Sequence, residues 1–494
     1  MGKSVPPAND LAGIGERARS TPEAVAIVEH PRSITFGELD ERQRRLAGLF
    51  RASKIAVGDR IAVLSKNRAE LLEVTTGALR CGVIPVPVNP LLTPPEIAYL
   101  IEDSGARWLF CDQMGESHPD LERTITFGDA YERSLEGAKP GRLSDFARGR
   151  PMHYTSGTTG SPKGVWVEPY SPEQAASAST KFREMWGITS EDLHLVCSPL
   201  SHSAPHRFSL RTLEGGGTVF VQKRFEAEET LAAIALFGIT STFMVPTHLE
   251  RIMALGRTTL MRYDVSSTRL LAHAGAPIRE ETKRSVIDLF PWDSVWEFYG
   301  STEGQATRIS SSEWLDKPGS VGRAPRGTQI SIRDEGGSRV PRGEIGEVWV
   351  VAPGGERFEY WGDPDKTRAA WRGGAFTVGD HGYLDEDGYL FLTGRKHDMI
   401  ITGGINVYPQ EVEQVLCDHP AVAEALVYGV AHQEWGEEVH AAVVPEPSMP
   451  LEPELLRGWA RERLAGFKCP RVIEVVESLP HTPTGKLKRS GSSR

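Results

Sequence analysis

Residues 154–165 concentrate glycines, hydroxyl side chains and one lysine, and they read Tyr-Thr-Ser-Gly-Thr-Thr-Gly-Ser-Pro-Lys-Gly-Val. The glycines allow positive φ angles and bring backbone N–H groups close to an anion, while the hydroxyls add further donors. Lys163 supplies a compact positive charge. We therefore predict a phosphate-binding loop that is neither helix nor strand, with an ordinary surface turn as the alternative. The candidate phosphate-binding residues are Thr155, Ser156, Gly157, Thr158, Thr159, Gly160 and Lys163.

The order of residues around Lys163 differs from that of the common nucleotide-binding loop, in which a glycine is followed after four residues by Gly-Lys-Ser or Gly-Lys-Thr. Here Pro162 precedes the lysine and Gly164 follows it. The segment shares the chemistry of that loop without sharing its sequence pattern.

Three later blocks contain carboxylates, an aromatic residue, an arginine and a second lysine. They are Glu297-Phe-Tyr-Gly-Ser-Thr-Glu303-Gly304, Val378-Gly-Asp380 leading to Gly394-Arg395, and Pro483-Thr-Gly-Lys486. Together with residues 154–165, these blocks resemble the motifs of the adenylate-forming superfamily and occur in the same order. That superfamily includes acyl-CoA synthetases, aryl-CoA ligases, luciferases and the adenylation domains of peptide synthetases. The resemblance spans almost the whole chain.

The resemblance implies nucleotide-binding roles for five residues. Tyr299 matches the aromatic residue that stacks on adenine, and Thr302 matches a phosphate-binding hydroxyl. Glu303 matches the carboxylate that holds Mg²⁺, a cation that takes one or two carboxylates together with phosphate oxygens and water. Asp380 matches the aspartate that binds both ribose hydroxyls, and Arg395 matches an arginine that contacts the nucleotide. ATP and Mg²⁺ are therefore expected.

The C-terminal block implies a mobile catalytic lysine. Lys486 matches the lysine that spans the substrate carboxylate and the α-phosphate during adenylation, and an ordinary lysine is cationic at neutral pH. Lys396 and His397, which follow Arg395, match the hinge about which the small C-terminal domain of the family rotates. After that rotation, residues 403–406 are expected to face coenzyme A, the implied acceptor of the acyl group.

A candidate acyl pocket follows the loop in the sequence. His202 stands where family members place an aromatic or histidine side chain at the mouth of that pocket, whereas His206 is equally consistent with a packed histidine. Pro205 between the two histidines, and the lack of a His-Glu-x-x-His pattern, argue against a metal site there. By resemblance, later strand ends and glycine turns line the acyl and adenine pockets. The candidate pocket residues are His202, His206, Phe243, His273, Gly275 and Gly300.

The polarity of the candidate acyl pocket indicates which kind of acid is the substrate. Its histidines, together with Arg207, make it more polar than a long fatty chain would favour. The region also lacks the aspartate with which amino-acid-activating domains hold an α-amino group. An aryl or otherwise functionalised acid is therefore the expected substrate.

The overall composition is that of a globular protein without a strongly basic surface. The 494 residues carry a net charge of −10 and include 39% hydrophobic residues. An acidic chain is a poor match for nucleic acid, which binds to a basic face. No apolar run approaches the roughly 18 residues of a membrane helix, and the N-terminus lacks the apolar core of a secretion signal. We expect a cytoplasmic protein without nucleic-acid or membrane partners, and a homodimer is left open.

The order of predicted strands and helices indicates the fold class. Short buried strands alternate with helices through residues 11–112, which favours an α/β fold with mostly parallel sheets covered by helices. A small β subdomain is predicted at residues 330–351, and a small mobile α+β lid after the hinge. The expected domains are an N-terminal AMP-binding domain at 1–394, a hinge at 395–398 and a C-terminal lid at 399–494. Residues 115–150 are predicted to be a surface connection.

These features together predict an AMP-forming acid–thiol ligase of the acyl- or aryl-CoA synthetase type. An organic acid, expected to be carboxylic, reacts with ATP to give its adenylate and pyrophosphate, and coenzyme A then takes the acyl group. One alternative keeps the adenylation but transfers the group to a carrier protein, or activates nitrite for diazotisation of an aryl amine in a biosynthetic pathway. A second alternative is a catalytically inactive nucleotide-binding regulatory protein, although the intact motif lysines and carboxylates argue against it.

Overall fold

The structure, a computed structural model, divides into two compact units. It describes residues 13–113, 121–155, 162–352, 356–395, 398–402, 405–432, 435–447, 449–481 and 487. The first unit comprises Met1–His273, Val286–Trp296 and Glu356–Arg368. The second unit comprises Ala274–Ser285, Glu297–Gly355 and Ala369–Arg494.

The helices and strands are numbered along the chain. Up to residue 155 they are α1 (Ile14–Ser20), β1 (Val25–Glu29), β2 (Arg32–Thr35), α2 (Phe36–Ala52), β3 (Arg60–Leu64), α3 (Ala69–Cys81), β4 (Ile84–Val88), α4 (Pro94–Ser104), β5 (Trp108–Cys111), β6 (Arg123–Thr126), α5 (Asp129–Glu136) and β7 (His153–Thr155). From residue 163 to residue 300 they are β8 (Lys163–Trp166), α6 (Pro172–Trp186), β9 (Leu193–Val196), α7 (Ser203–Glu214), β10 (Thr218–Val221), α8 (Ala227–Phe237), β11 (Ser241–Met244), α9 (Pro246–Met253), α10 (Arg257–Leu260), β12 (Leu270–His273), α11 (Glu280–Leu289) and β13 (Val295–Gly300). The rest are β14 (Gln305–Ser310), α12 (Ser311–Asp316), β15 (Gln329–Arg333), β16 (Gly346–Val351), β17 (Glu359–Tyr360), α13 (Pro364–Ala370), β18 (Trp371–Arg372), β19 (Ala375–Phe376), β20 (Asp380–Leu384), β21 (Leu390–Arg395), β22 (Ile400–Thr402), β23 (Ile405–Val407), α14 (Pro409–Cys417), β24 (Val422–His432), β25 (Gly436–Pro445), α15 (Pro453–Arg463) and β26 (Val472–Val475).

Three sheets organise the first unit. In the largest, β1, β10, β9, β11 and β12 are consecutive parallel neighbours, and β2 pairs antiparallel with β1. A second sheet has the order β4-β3-β5-β6 and is parallel throughout. The third is the antiparallel set β17-β8-β7. Helices alternate with the parallel strands along the chain, so the predicted α/β class with mostly parallel sheets is confirmed.

Local sequence signals explain where several of these helices begin and end. Thr35 accepts a hydrogen bond from the Glu38 backbone while the Glu38 carboxylate accepts one from the Thr35 backbone, a capping box that begins α2. Thr93 donates to the Glu96 carboxylate through its backbone at 2.8 Å and its hydroxyl at 2.7 Å, as expected for the start of α4. Gly105 ends α4 in the left-handed conformation, with a φ of 58° that glycine adopts without a Cβ clash.

Residues 115–150 contain more structure than predicted. β6 extends the parallel sheet beside β5, and α5 buries Tyr131 and Leu135. The Tyr131 hydroxyl donates a hydrogen bond to the buried Glu73 carboxylate. The prediction of a simple surface connection is therefore wrong, because a four-residue strand and an eight-residue helix are too short for their sequence patterns to be told from a loop.

The second unit contains antiparallel sheets. β13 runs into this unit and neighbours β14, and a further sheet has the order β18-β19-β16-β20-β21 with β15 beside β16, which confirms the predicted β subdomain. Near the C-terminal end, the sheet β23-β22-β25-β24, with β26 parallel to β25, shares a core with α14 and α15. The predicted small α+β structure is thereby confirmed, whereas its motion as a lid stays a prediction.

The cores of both units are apolar. In the first unit, Phe36, Trp108 and Phe110 are almost completely buried, and in the second, Val412 and Leu456 are. Burial of each such side chain contributes roughly 1.5–3 kcal/mol. None of the helices in the described part of the chain is long and apolar enough to cross a membrane.

Candidate active site

The predicted phosphate-binding loop connects two antiparallel strands of the first unit. β7 and β8 pair with Tyr154 opposite Gly164 and Thr155 opposite Lys163. The two ends of the loop are therefore held side by side in one sheet. Contrary to the prediction, both ends of residues 154–165 are strand, because β17 pairs with β8 and supplies hydrogen bonds that the sequence of the segment does not reveal.

Asp103, near the end of α4, contacts both sides of this hairpin. Its carboxylate accepts hydrogen bonds from the Tyr154 hydroxyl at 2.8 Å and the Tyr99 hydroxyl at 3.2 Å. The Lys163 Nζ atom lies 3.5 Å from the same carboxylate. Tyr99 also donates to the carbonyl of Pro162 at 3.0 Å. Asp103 therefore positions the strand before the loop and the lysine after it.

The charges in this cluster follow from burial and from Asp103. Burial lowers the pKa of the Lys163 amine, but Asp103 and Tyr99 together oppose burial, so that pKa is raised overall. Burial and the same carboxylate both raise the pKa of the Tyr154 hydroxyl. At neutral pH, Lys163 is thus a cation and Tyr154 a neutral donor, and the cation can bind a phosphate oxygen.

In the second unit, the Tyr299 hydroxyl donates a hydrogen bond to Asp380 Oδ2 at 2.5 Å. Tyr299 lies near the end of β13, and Asp380 begins β20, 81 residues later in the sequence. Asp380 is also directly opposite Arg395 in the antiparallel pair of β20 and β21. Three predicted nucleotide-binding residues from distant positions in the sequence are therefore adjacent.

Thr302 and Glu303 lie in the connection between β13 and β14. Glu303 is only 8% exposed, so its carboxylate is shielded from bulk water. A Cβ added to the next residue, Gly304, would be 2.8 Å from Phe376 Cζ, so this connection packs tightly. A shielded carboxylate oxygen is the hard donor that Mg²⁺ prefers, and Glu303 therefore fits the cation predicted for it.

Glu297, at the start of the same sequence block, has a structural partner. The Lys283 ammonium donates a hydrogen bond to Glu297 Oε2 and lies 4.4 Å from the ring centroid of Trp314. Burial lowers the pKa of Lys283, and the Glu297 carboxylate opposes that shift. This buried ion pair holds the start of the block in place.

Four of the predicted pocket residues belong to the first unit. His202 occupies the N-cap of α7, and Phe243 and His273 lie in the adjacent parallel strands β11 and β12. His206 lies inside α7, where its Nε2 atom is 2.8 Å from Thr75 Oγ1. Burial lowers the pKa of His206 to about 3. His206 is therefore neutral and packed, although in a helix rather than in a loop, and its assignment to the acyl pocket stays a prediction.

The other two predicted pocket residues, Gly275 and Gly300, belong to the second unit. Gly275 has a φ of 101°, a conformation that residues with a Cβ rarely adopt. A Cβ at Gly300 would be 2.8 Å from both Gln305 Cα and the Gly304 carbonyl oxygen. Both positions therefore require glycine for the geometry of the backbone itself.

Several predicted site residues lie outside the described residues. They are Ser156, Gly157, Thr158, Thr159, Gly160, Lys396, His397 and Lys486. The roles of the loop, the hinge and the C-terminal lysine stay predictions.

Sequence reasoning missed Asp103. The residue lies in the last turn of α4, which contains no basic residue. A carboxylate there is unfavourable, because the C-terminal end of a helix carries partial negative charge. That mismatch is the one local signal that Asp103 has a partner elsewhere in the fold.

Comparison with known proteins identifies a family and close relatives. Residues 14–357 match the family described as AMP-binding enzyme, and residues 411–486 match the AMP-binding enzyme C-terminal domain. The fatty acid–[acyl-carrier-protein] ligase ScoC of Streptomyces coeruleorubidus is 33% identical over 495 residues, covering 96% of this chain and 93% of that protein. Feruloyl-CoA synthase of an Amycolatopsis species is 33% identical over 483 residues, covering 95% of this chain and 96% of that protein.

Solved structures show the same fold. The o-succinylbenzoate CoA synthetase of Bacillus subtilis, in complex with its acyl-adenylate intermediate, matches with a TM-score of 0.85 and 30% identity, over 96% of each chain. The same enzyme in complex with ATP and magnesium ion matches with a TM-score of 0.84 and 29% identity, over 96% of this chain and 97% of that chain. The similarity thus extends over nearly the whole sequence.

Proposed function

This chain belongs to the family of AMP-binding enzymes, and on that premise we propose that it is an AMP-forming acid–thiol ligase. In the first step, a carboxylate oxygen of the substrate attacks the α-phosphorus of ATP, and pyrophosphate leaves. In the second step, the thiolate of coenzyme A attacks the acyl carbon of the adenylate, and AMP leaves. Each step needs positioning and charge neutralisation and no covalent enzyme intermediate.

The observation that carries this proposal is the bond between Tyr299 and Asp380. A carboxylate has about four lone-pair directions, so Asp380 can accept the Tyr299 hydroxyl and still bind ribose hydroxyls. Because the bond fixes the orientation of both side chains, the ring of Tyr299 is held ready to stack on adenine. Arg395, opposite Asp380, is assigned to the nucleotide as well.

The proposed roles in adenylation follow from charge. Lys163, positioned by Asp103, binds phosphate oxygens together with the hydroxyls and backbone N–H groups of the loop. Glu303 would hold Mg²⁺, which neutralises phosphate charge when it is bound. Lys486 neutralises the charge that develops between the attacking carboxylate and the α-phosphate.

Coenzyme A is the proposed acceptor because it is the acceptor named for feruloyl-CoA synthase and o-succinylbenzoate CoA synthetase. Rotation about Lys396 and His397 would withdraw Lys486 and bring residues 403–406 to the adenylate. A carrier protein is the second candidate acceptor, since the relative ScoC is named for transfer to an acyl-carrier protein.

Mass-spectrometric product analysis tests the proposal. The full chain is incubated with ATP, Mg²⁺ and a panel of aliphatic, aryl and aminoaryl acids, with and without coenzyme A, a phosphopantetheinylated carrier protein or nitrite. We expect an acyl-CoA product. Its rate of formation should fall by about 100-fold or more in Lys486→Ala and should be unchanged in the matched control Lys488→Ala. AMP and pyrophosphate without a thioester would exclude coenzyme A, and no pyrophosphate with any acid would favour the regulatory alternative.

A further inference from the structure

Three arginines of the first unit act on one another: Arg207 and Arg211 belong to α7, and Arg150 precedes β7. Arg211 forms an ion pair with Glu214, and Arg150 Nε lies 3.3 Å from Glu356 Oε1. Glu214 also accepts a hydrogen bond from the Ala147 backbone at 2.8 Å. Each of these two arginines therefore has a carboxylate partner.

Among the residues that the structure describes, Arg207 has no such partner. It forms no hydrogen bond or ion pair with any residue of the described ranges, and its side chain keeps some exposed surface. The charged groups that act on it are Arg150, Glu356 and Arg211. Burial, followed by the repulsion of Arg150, lowers the pKa of Arg207 to about 10. A guanidinium in this setting is stabilised by an added anion, because two cations and one carboxylate surround it.

A second polar group near Arg207 also lacks a hydrogen-bond partner among the described residues. His153 Nε2 is buried and makes no hydrogen bond within the part of the chain that the structure describes, and the residue is 5% exposed. Burial, followed by the neighbouring cationic and histidine side chains, including Arg207, lowers the pKa of His153. The ring is therefore neutral and has one nitrogen available for a hydrogen bond.

The position of these two groups associates them with the proposed reaction. His153 lies two residues before residue 155, where the strand enters the phosphate loop. Arg207 lies in the helix that follows β9, at the carboxyl end of a parallel strand, where α/β folds bind their ligands. Lys163 and its partner Asp103 are already assigned to the phosphates of ATP, so Arg207 and His153 are available for the acid substrate.

We propose that Arg207, assisted by His153, is a specificity-determining site for a carboxylate of the substrate that is not adenylated. This inference rests on the proposed function and narrows its substrate class to acids that carry a second anionic group. Arg207 binds that carboxylate through two parallel N–H donors, a geometry that lysine does not reproduce. The arrangement explains why a partly buried arginine forms no ion pair with any described residue.

Matched pairs of acids test this site. Terephthalate is compared with its monomethyl ester, and glutarate with its monomethyl ester, by pyrophosphate release with ATP, Mg²⁺ and coenzyme A. The wild-type protein should prefer each diacid by about tenfold or more in kcat/KM. Arg207→Gln and Arg207→Lys should both remove that preference by raising the KM for the diacid, with the KM for ATP unchanged. The exposed Arg224, 79% accessible, provides the control Arg224→Gln, which should behave as wild type.

Binding measured without turnover separates this inference from the proposed function. In the presence of the AMP product, terephthalate should raise the melting temperature of the wild-type protein and leave that of Arg207→Lys unchanged. If this shift occurs without pyrophosphate release, the ligase proposal fails and the carboxylate site stands. If monoacids are activated as well as diacids, or Arg207 variants change only the KM for ATP, the carboxylate site is refuted. If neither a shift of the melting temperature nor a release of pyrophosphate is seen, the carboxylate site and the ligase proposal are both refuted.

Discussion

Asp103 accepts a 2.8 Å hydrogen bond from Tyr154, 51 residues further along the chain. The bond joins the end of α4 to β7, the strand that leads into the phosphate loop. Because the same carboxylate lies 3.5 Å from Lys163, one side chain orders both ends of the loop. The affinity for ATP should therefore depend on a residue that the family motifs do not include.

Replacing Asp103 by Asn should weaken ATP binding. The amide keeps the size of the side chain but removes the charge that orients Lys163, so we expect the KM for ATP to rise about three- to tenfold, with little change in the KM for the acid. Tyr154→Phe keeps the charge, removes one hydrogen bond and should have a smaller effect. Steady-state kinetics at varied ATP concentration measure the KM for ATP of both variants. A lower KM for ATP in Asp103→Asn would instead mean that Asp103 competes with phosphate for the lysine.

Tyr299→Phe should separate stacking from hydrogen bonding. The ring stays, but the bond to Asp380 is lost, at a cost of about 0.5–1.5 kcal/mol, or roughly a two- to twelvefold weaker binding of AMP. Tyr299→Ala loses the ring as well and should weaken binding further. Isothermal titration of each variant with AMP and with adenine distinguishes the contribution of the ring from that of the hydrogen bond. Equal affinities of Tyr299→Phe and wild type for AMP would show that the bond does not support ribose recognition.

The buried pair of Lys283 and Glu297 should matter for stability. Their side chains are 1% and 9% exposed, and removing one partner leaves a buried charge, so Lys283→Met should destabilise the protein by about 3–5 kcal/mol. The double variant Lys283→Met/Glu297→Leu removes both charges and should recover much of that loss. Unfolding monitored by denaturant measures the free energies. A double variant that is less stable than Lys283→Met would contradict this account.

His206 should make stability depend on pH in the acidic range. Its pKa is about 3 in the folded protein, against 6.5 for an ordinary histidine, so below pH 6.5 the unfolded chain binds a proton that the folded protein excludes. Stability is therefore unaffected above pH 6.5 and falls as the pH drops from 6.5 towards 3. Between pH 7 and pH 5, His206 should therefore lower the free energy of unfolding by about 2 kcal/mol.

Replacement of His206 measures that contribution. In His206→Gln the side chain can still bond to Thr75 but does not titrate, so the loss of unfolding free energy between pH 7 and pH 5 should be smaller than in the wild type by about 2 kcal/mol. Other buried histidines, such as His194, keep their own pH dependence in both proteins. Equal pH dependence in the two proteins would show that His206 is protonated in the folded state.

The family, the α/β class and the local boundaries of several elements could be predicted from the sequence. The capping pair Thr35 and Glu38 and the end of α4 at Gly105 express preferences of the backbone that depend on neighbouring residues. Such preferences can be recognised from the sequence alone, because the interacting groups lie within a few residues of each other.

The contacts between distant groups could be seen only in the folded chain. The contacts of Asp103 with Lys163 and of Tyr299 with Asp380 depend on strands and helices far apart in the sequence being packed together. The charges of Arg150 and Glu356 that act on Arg207 depend on the same packing. The short α5 was missed for the same reason, since its stability comes from burying Tyr131 and Leu135 against the rest of the unit rather than from its own eight residues. The pairing of distant residues is a property of the packed chain, because the interacting groups are brought together only when the chain folds.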